Sequence, residues 1–206
     1  VQVQSYDPPV LLLPSFATPK ECQELQDLAE KQGWDRTENV VRKVSVAVFN
    51  RKGTANHPLV LAIRARAAAL VGLTRGFCES LNCVQYDYQE RHRAHYDYVQ
   101  EVDVKFAMDQ PDPLKESTLL MGGQRHCTVL LYLNSLSEGE GGETYFEHLG
   151  VRLRPRRGAA LVWPNVGSDG KPNPKTMHES LPAVGAEKFV VNAWLRNEDL
   201  EHLRAS

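Results

Sequence analysis

From about Leu81 onward the sequence is a succession of short apolar or alternating runs, at 84–88, 94–98, 127–133, 144–146, 151–153, 159–163 and 188–196. Turn-forming residues separate them: Gly139 to Gly142, Pro155 to Gly158, and Gly167 to Pro174. Parallel α/β sheets need a helix-length crossover between strands, and these connections lack the periodicity for one. Many short strands at regular intervals point instead to a sandwich or jelly roll.

The first third of the chain reads as a supporting layer. Thr18, Pro19 and Glu21 form a capping box with proline at the first helical position. Cys22, Leu25 and Leu28 then recur at helical spacing, and Gly33 supplies the stop. A second helix is expected from His57-Pro58 to about Val71, with Val60, Ile63, Ala67 and Leu70 on one face. Between the two, Val44, Val46 and Val48 alternate as in a strand. The organisation expected is one domain over 1–206, with a helical support layer at 1–80 and a β core at 81–198. The connection at 99–123 has few strand signals and carries Asp109-Gln110-Pro111-Asp112-Pro113, which makes it a candidate lid.

Charge and cysteine content narrow the function classes. Lys plus Arg is 24 against 26 for Asp plus Glu, a formal net charge of −2, so neither nucleic acid nor a membrane surface is an expected electrostatic partner. The four arginines at 152, 154, 156 and 157 have few interleaved aromatics and read as a solvated strand and turn. No uncharged apolar run is long enough for a membrane span. The four cysteines form no CxxC pair, so a structural zinc site is not expected, while Cys78 and Cys83 are close enough to be either a disulfide or two free thiols. GxSxG, a P-loop and a GxGxxG before a helix are all absent, which leaves hydrolase, nucleotidase and dinucleotide readings without support.

The chemistry concentrates around His95-Tyr96-Asp97. In an extended segment residues i and i+2 project to one face, so the imidazole and the carboxylate converge. A further histidine would complete the two-histidine, one-carboxylate triad that holds non-haem Fe(II) with positions left open. His178, at the start of a late strand, is the candidate. Lys188 stands ten residues further on, within the apolar run Lys188-Phe189-Val190-Val191. A half-buried ammonium needs a counter-anion, and a dicarboxylate whose other end chelates the iron would supply it. Tyr86 and Thr144 could donate hydroxyl hydrogen bonds to the same carboxylate.

The pattern Tyr86…His95-Tyr96-Asp97…Gly122-Gly123-Gln124-Arg125…Gly142-Glu143-Thr144…His178…Lys188…Trp194 resembles the prolyl 4-hydroxylase family of 2-oxoglutarate, Fe(II)-dependent dioxygenases. The resemblance implies a mainly β fold with N-terminal helices, its core a double-stranded β-helix (jelly roll). It implies His95, Asp97 and His178 as iron ligands, with Lys188, Tyr86 and Thr144 binding 2-oxoglutarate. It further implies consumption of 2-oxoglutarate and O2, ascorbate as reductant, and a proline-containing polypeptide as substrate, yielding hydroxyproline, succinate and CO2. Arg125 and Trp194 fall at substrate-side positions of the family pattern.

Two departures also lie on the substrate side. His92 stands where the family commonly has a tyrosine, and Arg196 where it commonly has a histidine. They keep open the same chemistry on a free amino acid or another side chain. A cupin-like module that binds metal without turnover is the alternative of a different class, and Lys188 argues against it, because such a module needs no cosubstrate anchor. Many family members work in the secretory pathway, but the sequence carries no signal-peptide pattern, sequon or retention tetrapeptide, and it does not define an oligomeric state.

Overall fold

A computed structural model describes residues 1–39, 41–51, 53–100 and 122–200. The capping box builds the first helix as expected. Thr18 Oγ1 accepts from the Glu21 amide, the Glu21 carboxylate accepts from the Thr18 amide, and Gly33 closes α1 (Pro19–Gln32) with φ +91°. The second helix, α2 (Pro58–Ala69), buries Val60, Ile63 and Ala67, whereas Leu70 caps its C-terminus and stays 40% exposed. Among the described residues no helix is long and apolar enough to cross a membrane.

The strands are β1 (Gln2–Tyr6), β2 (Pro9–Leu13), β3 (Asp35–Glu38), β4 (Lys43–Val48), β5 (Asn82–Tyr86), β6 (His92–His95), β7 (Arg125–Tyr132), β8 (Thr144–Phe146), β9 (Val151–Leu153), β10 (Ala160–Pro164), β11 (His178–Ser180) and β12 (Lys188–Arg196). They form a major sheet in the order β1-β2-β10-β7-β12-β5-β4-β3 and a minor sheet in the order β6-β11-β8-β9. Every pairing among these strands is antiparallel, and the central neighbours β2-β10, β10-β7, β7-β12, β12-β5, β6-β11 and β11-β8 are distant in sequence, as a jelly roll requires. The first third is therefore more than a helical support, since β1 to β4 extend the major sheet at both edges. Polar β3, Asp35-Arg36-Thr37-Glu38, carries no apolar alternation and is defined by its pairing with β4.

Strand periodicity separates two cores. On one face of the major sheet, Ala47, Cys83, Val129, Leu131, Val191 and Ala193 pack with Leu25 of α1 and Ile63 of α2. On the other, Val44, Val84, Tyr86, Leu130, Tyr132 and Val190 meet Phe146 and Leu153 of the minor sheet. Each fully buried aliphatic side chain contributes about 1.5–3 kcal/mol, so a one-residue slip would forfeit several at once. The same alternation decides the site, because Lys188, Val190, Asn192 and Trp194 all line the cleft between the sheets. All four cysteines are buried and lie outside any disulfide, so Cys78 and Cys83 do not pair. Most of the candidate lid, residues 101–121, lies outside the described residues. Its two ends are tied by Gln124, whose side-chain amide accepts from the Val99 amide at 2.6 Å and donates to the Val99 carbonyl at 3.0 Å.

Candidate active site

The register of the minor sheet brings the histidines together. His178 of β11 lies directly opposite His95 of β6. Strand β6 ends at His95, so Asp97 sits in a bend beyond it rather than in the strand the sequence suggests. The carboxylate reaches the same point nonetheless. His95 Nε2 lies 3.7 Å from Asp97 Oδ1 and His178 Nε2 lies 3.8 Å from Asp97 Oδ2. One ligand atom from each residue falls within 4.8 Å of the others.

The surroundings orient all three. His95 Nδ1 is 2.8 Å from the Arg93 carbonyl and His178 Nδ1 is 3.0 Å from the Thr176 carbonyl. Each ring thus donates through Nδ1 and turns the Nε2 lone pair toward the common point, the arrangement that fixes a metal-ligating tautomer. Burial, with His178 nearby, pushes His95 down to about 4, so this imidazole is neutral as ligation requires. Burial alone would raise Asp97, but His178, His95 and a hydrogen bond from Thr128 outweigh it and hold the carboxyl at about 2. Thr128 Oγ1 donates to Asp97 Oδ2 at 2.7 Å and accepts from Asn165 Nδ2 at 2.9 Å, which anchors the bend to the major sheet. Trp163 and Phe146 back the His178 ring at centroid distances of 4.9 and 5.5 Å. Thr128→Val should weaken divalent-metal affinity by about 10- to 100-fold, the usual cost of an outer-shell partner. Equilibrium titration of the metal-free protein with Fe(II) or Mn(II) reads this directly, and unchanged affinity would remove Thr128 from that role.

A second feature lies in the same cleft. Lys188 is 1% exposed, and among the described residues no carboxylate forms an ion pair with it. It donates to Ser180 Oγ at 2.7 Å and lies 5.0 Å from the centre of the Tyr86 ring, its direct cross-strand partner. Burial pushes the ammonium down to about 7, with the Glu143 charge opposing. Gly142, at φ +73°, makes room for the lysine: a Cβ there would stand 2.5 Å from Leu136 Cδ1 and 3.4 Å from Lys188 Cδ. Thr144 is buried and accepts from the Tyr132 hydroxyl at 2.8 Å, while Tyr86 is buried with its phenol pushed up to about 12 by desolvation.

The substrate-side residues separate into two groups. His92 and Trp194 line the cleft, and His92 stacks on His95 with centroids 3.5 Å apart. Arg125 lies over the Trp194 ring at 3.8 Å and grips Glu79 through Nε–Oε1 at 2.7 Å and Nη2–Oε2 at 2.9 Å. Arg196 is not at the cleft wall. It is fully buried, bonded to Glu79 and to the Gly123 carbonyl, so it braces Arg125 from behind rather than facing the opening. Sequence reasoning misses Ser180, whose signal is its i+2 spacing from His178. It also misses Glu79, Thr128, Tyr132 and Arg42, which carry no local signal.

The donor set suits a single cation: two imidazole nitrogens and one carboxylate, with a buried ammonium in the same cleft that has no carboxylate partner among the described residues. An ion with ordinary bond lengths holds neighbouring ligand atoms about 3 Å apart, so closing onto it needs a contraction of about one to two ångströms. Two antiparallel sheets with this His–Asp–His cluster in the cleft between them define a class, the jelly-roll proteins built for a facial-triad metal. The chain belongs to the 2OG-Fe(II) oxygenase superfamily, whose family profile matches residues 81–196. It is thus an Fe(II)- and 2-oxoglutarate-dependent dioxygenase. It is 25% identical to prolyl 4-hydroxylase 1 of Arabidopsis thaliana over 219 residues, covering 96% of this chain and 72% of that protein. It is 30% identical to the human prolyl 4-hydroxylase subunit alpha-1 over 148 residues, covering 72% of this chain and 26% of the human subunit. In fold it is similar to the viral collagen prolyl hydroxylase of Paramecium Bursaria Chlorella virus-1, with a TM-score of 0.70, 23% identity and coverage of 91% and 95% of the two chains.

Proposed function

We propose that this chain is the catalytic domain of a peptidyl-prolyl 4-hydroxylase, converting proline in a polypeptide to hydroxyproline with consumption of 2-oxoglutarate and O2 and release of succinate and CO2. The observation that carries the reading is the shared cleft of the His95–Asp97–His178 cluster and the buried Lys188, which has no carboxylate partner among the described residues. His95, Asp97 and His178 would hold Fe(II). Lys188, with Ser180, Tyr86 and Thr144 around it, would take the distal carboxylate of 2-oxoglutarate. When bound, the iron and its cosubstrate supply the oxidising power for an unactivated C–H bond, with ascorbate as the reductant that keeps the metal ferrous.

The chain's own residues perform the rest. The Nδ1 hydrogen bonds of both histidines fix which nitrogens face the metal, and Thr128 keeps Asp97 from rotating away. Lys188 neutralises one end of a dianion that would otherwise be costly to bury. Val44, Val84, Leu130 and Val190 line the cleft and exclude water from it. Trp194, held flat by Arg125, and His92, stacked on His95, offer planar surfaces on which a proline ring can rest. No side chain is needed as general acid or base in the hydroxylation.

Incubation of proline-rich peptides with the protein, Fe(II), ascorbate, O2 and 2-oxoglutarate should give a gain of one oxygen mapped to proline by mass spectrometry. The gain should vanish without 2-oxoglutarate. Succinate formed with no oxidised proline would overturn proline as the substrate and leave the dioxygenase chemistry in place.

A further inference from the structure

Among the described residues lining the cleft, every cation but Arg42 has an assigned anion. On the functional reading above, Asp97 faces the metal and Lys188 faces a carboxylate of 2-oxoglutarate. Arg125, beside the cleft, is paired with Glu79, a carboxylate it shares with the buried Arg196. A divalent metal, the Asp97 carboxylate, the cosubstrate dianion and the Lys188 ammonium together sum to zero. Among the described residues that line the cleft, Arg42 is then the cation with no anion assigned to it.

Its position is set by the backbone. The Arg93 amide donates to the Val41 carbonyl at 2.8 Å, the Lys43 amide donates to the Arg91 carbonyl at 3.2 Å, and Arg42 pairs with His92 in an antiparallel bridge. Side chains of directly opposed residues stand on one face, about 5 Å apart at Cβ. Arg42 is therefore the neighbour of His92, which stacks on the metal-side ring of His95. It lines the same cleft as Trp194, His95 and Asp97. Its guanidinium is partly buried, and among the described residues no carboxylate lies within ion-pair distance of it. The nearby charged or titratable groups are Tyr86, His92, His95 and Arg125, none of them an anion at neutral pH. Desolvation lowers the pKa of Arg42, the mark of a cation held without compensation. A guanidinium in that state is matched best by a planar carboxylate, which it can grip through two parallel hydrogen bonds.

We infer that Arg42 is a specificity residue that pairs with a carboxylate on the substrate, so that the preferred substrate carries a negative charge next to the group being hydroxylated. That charge has two chemical sources, the side chain of an acidic residue flanking the target or a free terminal carboxylate. The inference rests on the proposed reaction for its setting, but it concerns the substrate's charge and not the identity of the oxidised ring.

The test is equilibrium binding by calorimetry, under nitrogen and with Mn(II) and 2-oxoglutarate present, so that no turnover intervenes. The first arm compares peptides carrying Glu, Gln or Lys beside one central proline. The second compares N-acetyl amino acids, proline among them, with their amides. Wild-type protein should bind the carboxylate member of at least one arm about 10- to 100-fold more tightly than its neutral isostere. The arm that discriminates identifies the source of the charge. Arg42→Gln should reduce that ratio to near one, Arg42→Lys should restore part of it, and Arg42→Glu should turn the preference toward the Lys peptide. The affinity for 2-oxoglutarate should be the same in all four proteins. A wild-type ratio near one in both arms would overturn the inference, as would a loss in Arg42→Gln that is equal for charged and neutral members, or a matching loss of 2-oxoglutarate affinity. Failure of the proline reading would look different: proline would remain unoxidised in the turnover assay while carboxylate discrimination by Arg42 persisted in the second arm.

Discussion

His178→Ala should abolish detectable 2-oxoglutarate turnover and weaken Fe(II) or Mn(II) binding by well over the roughly 10- to 100-fold expected when an outer-shell partner such as Thr128 is lost. The difference follows from position. Thr128 only steadies Asp97, whereas His178 Nε2 belongs to the three-residue cluster proposed to hold the metal, 3.8 Å from Asp97 Oδ2. With His178 gone, a two-ligand site remains, and nothing among the described residues offers a third donor to it. The substitution also removes a ring packed against Trp163 and Phe146, so some stability will be lost with it. Thermal melts of the metal-free proteins isolate that packing loss. The informative quantity is the extra stabilisation that Mn(II) gives wild-type protein, which should be nearly absent in His178→Ala. A variant that retains wild-type metal stabilisation or turnover would remove His178 from the ligand set.

How much of this was legible in the sequence depends on how local each signal is. Helix α1 was readable because its start, its apolar face and its stop all lie within 16 residues, from Thr18 to Gly33, and need no tertiary partner. His95 and Asp97 were readable for the same reason, although the carboxylate converges through a bend and not through the strand alternation that suggested it. His178 and Lys188 became visible only as parts of a spaced pattern, because the pairing of His178 with His95 and of Lys188 with Tyr86 is a matter of register between distant strands. The cluster of Glu79 with Arg125 and Arg196 had no such pattern. Its members are 46 and 117 residues apart, and an isolated glutamate reads as surface until the fold buries it. Strand β3 escaped detection because an edge strand of Asp, Arg, Thr and Glu has no apolar face, and its extended form is imposed by β4. Arg42 is the most instructive omission: a single arginine beside a valine-rich strand looks solvated, and only the bridge to His92 turns it toward the cleft.

Lys188→Met should raise the dissociation constant for 2-oxoglutarate by roughly 10²- to 10³-fold, since on the proposed function it removes the charged half of a buried, charge-assisted pair. Methionine keeps the length of the side chain and its packing under Gly142, so the loss reports charge and not a collapsed cleft. The pH dependence separates this role from a structural one, because two effects run in opposite directions. Without ligand, burial holds the Lys188 ammonium at about 7, below the ordinary 10.5 of lysine. Below pH 7 the group is charged and ready to receive a carboxylate, so affinity for 2-oxoglutarate is at its plateau. Above pH 7 binding must recapture a proton, and affinity should fall by about tenfold per unit until the raised value of the bound state is reached. Stability of the ligand-free protein behaves in the reverse sense. A buried lysine whose folded value lies below its unfolded value costs stability while it is charged, and that cost is relieved between pH 7 and pH 10.5 as the unfolded chain comes to hold the extra proton. The relief should be on the order of a few kcal/mol, and it should be missing from Lys188→Met. Calorimetric binding and denaturant titrations across pH 6 to 10, on both proteins, measure the two slopes. Parallel slopes for wild type and variant would mean that Lys188 is a packed strand residue and that the cosubstrate's charge is met elsewhere. Slopes of opposite sign, both lost in the variant, would make it the one side chain whose cost to the empty fold is recovered when the dicarboxylate binds.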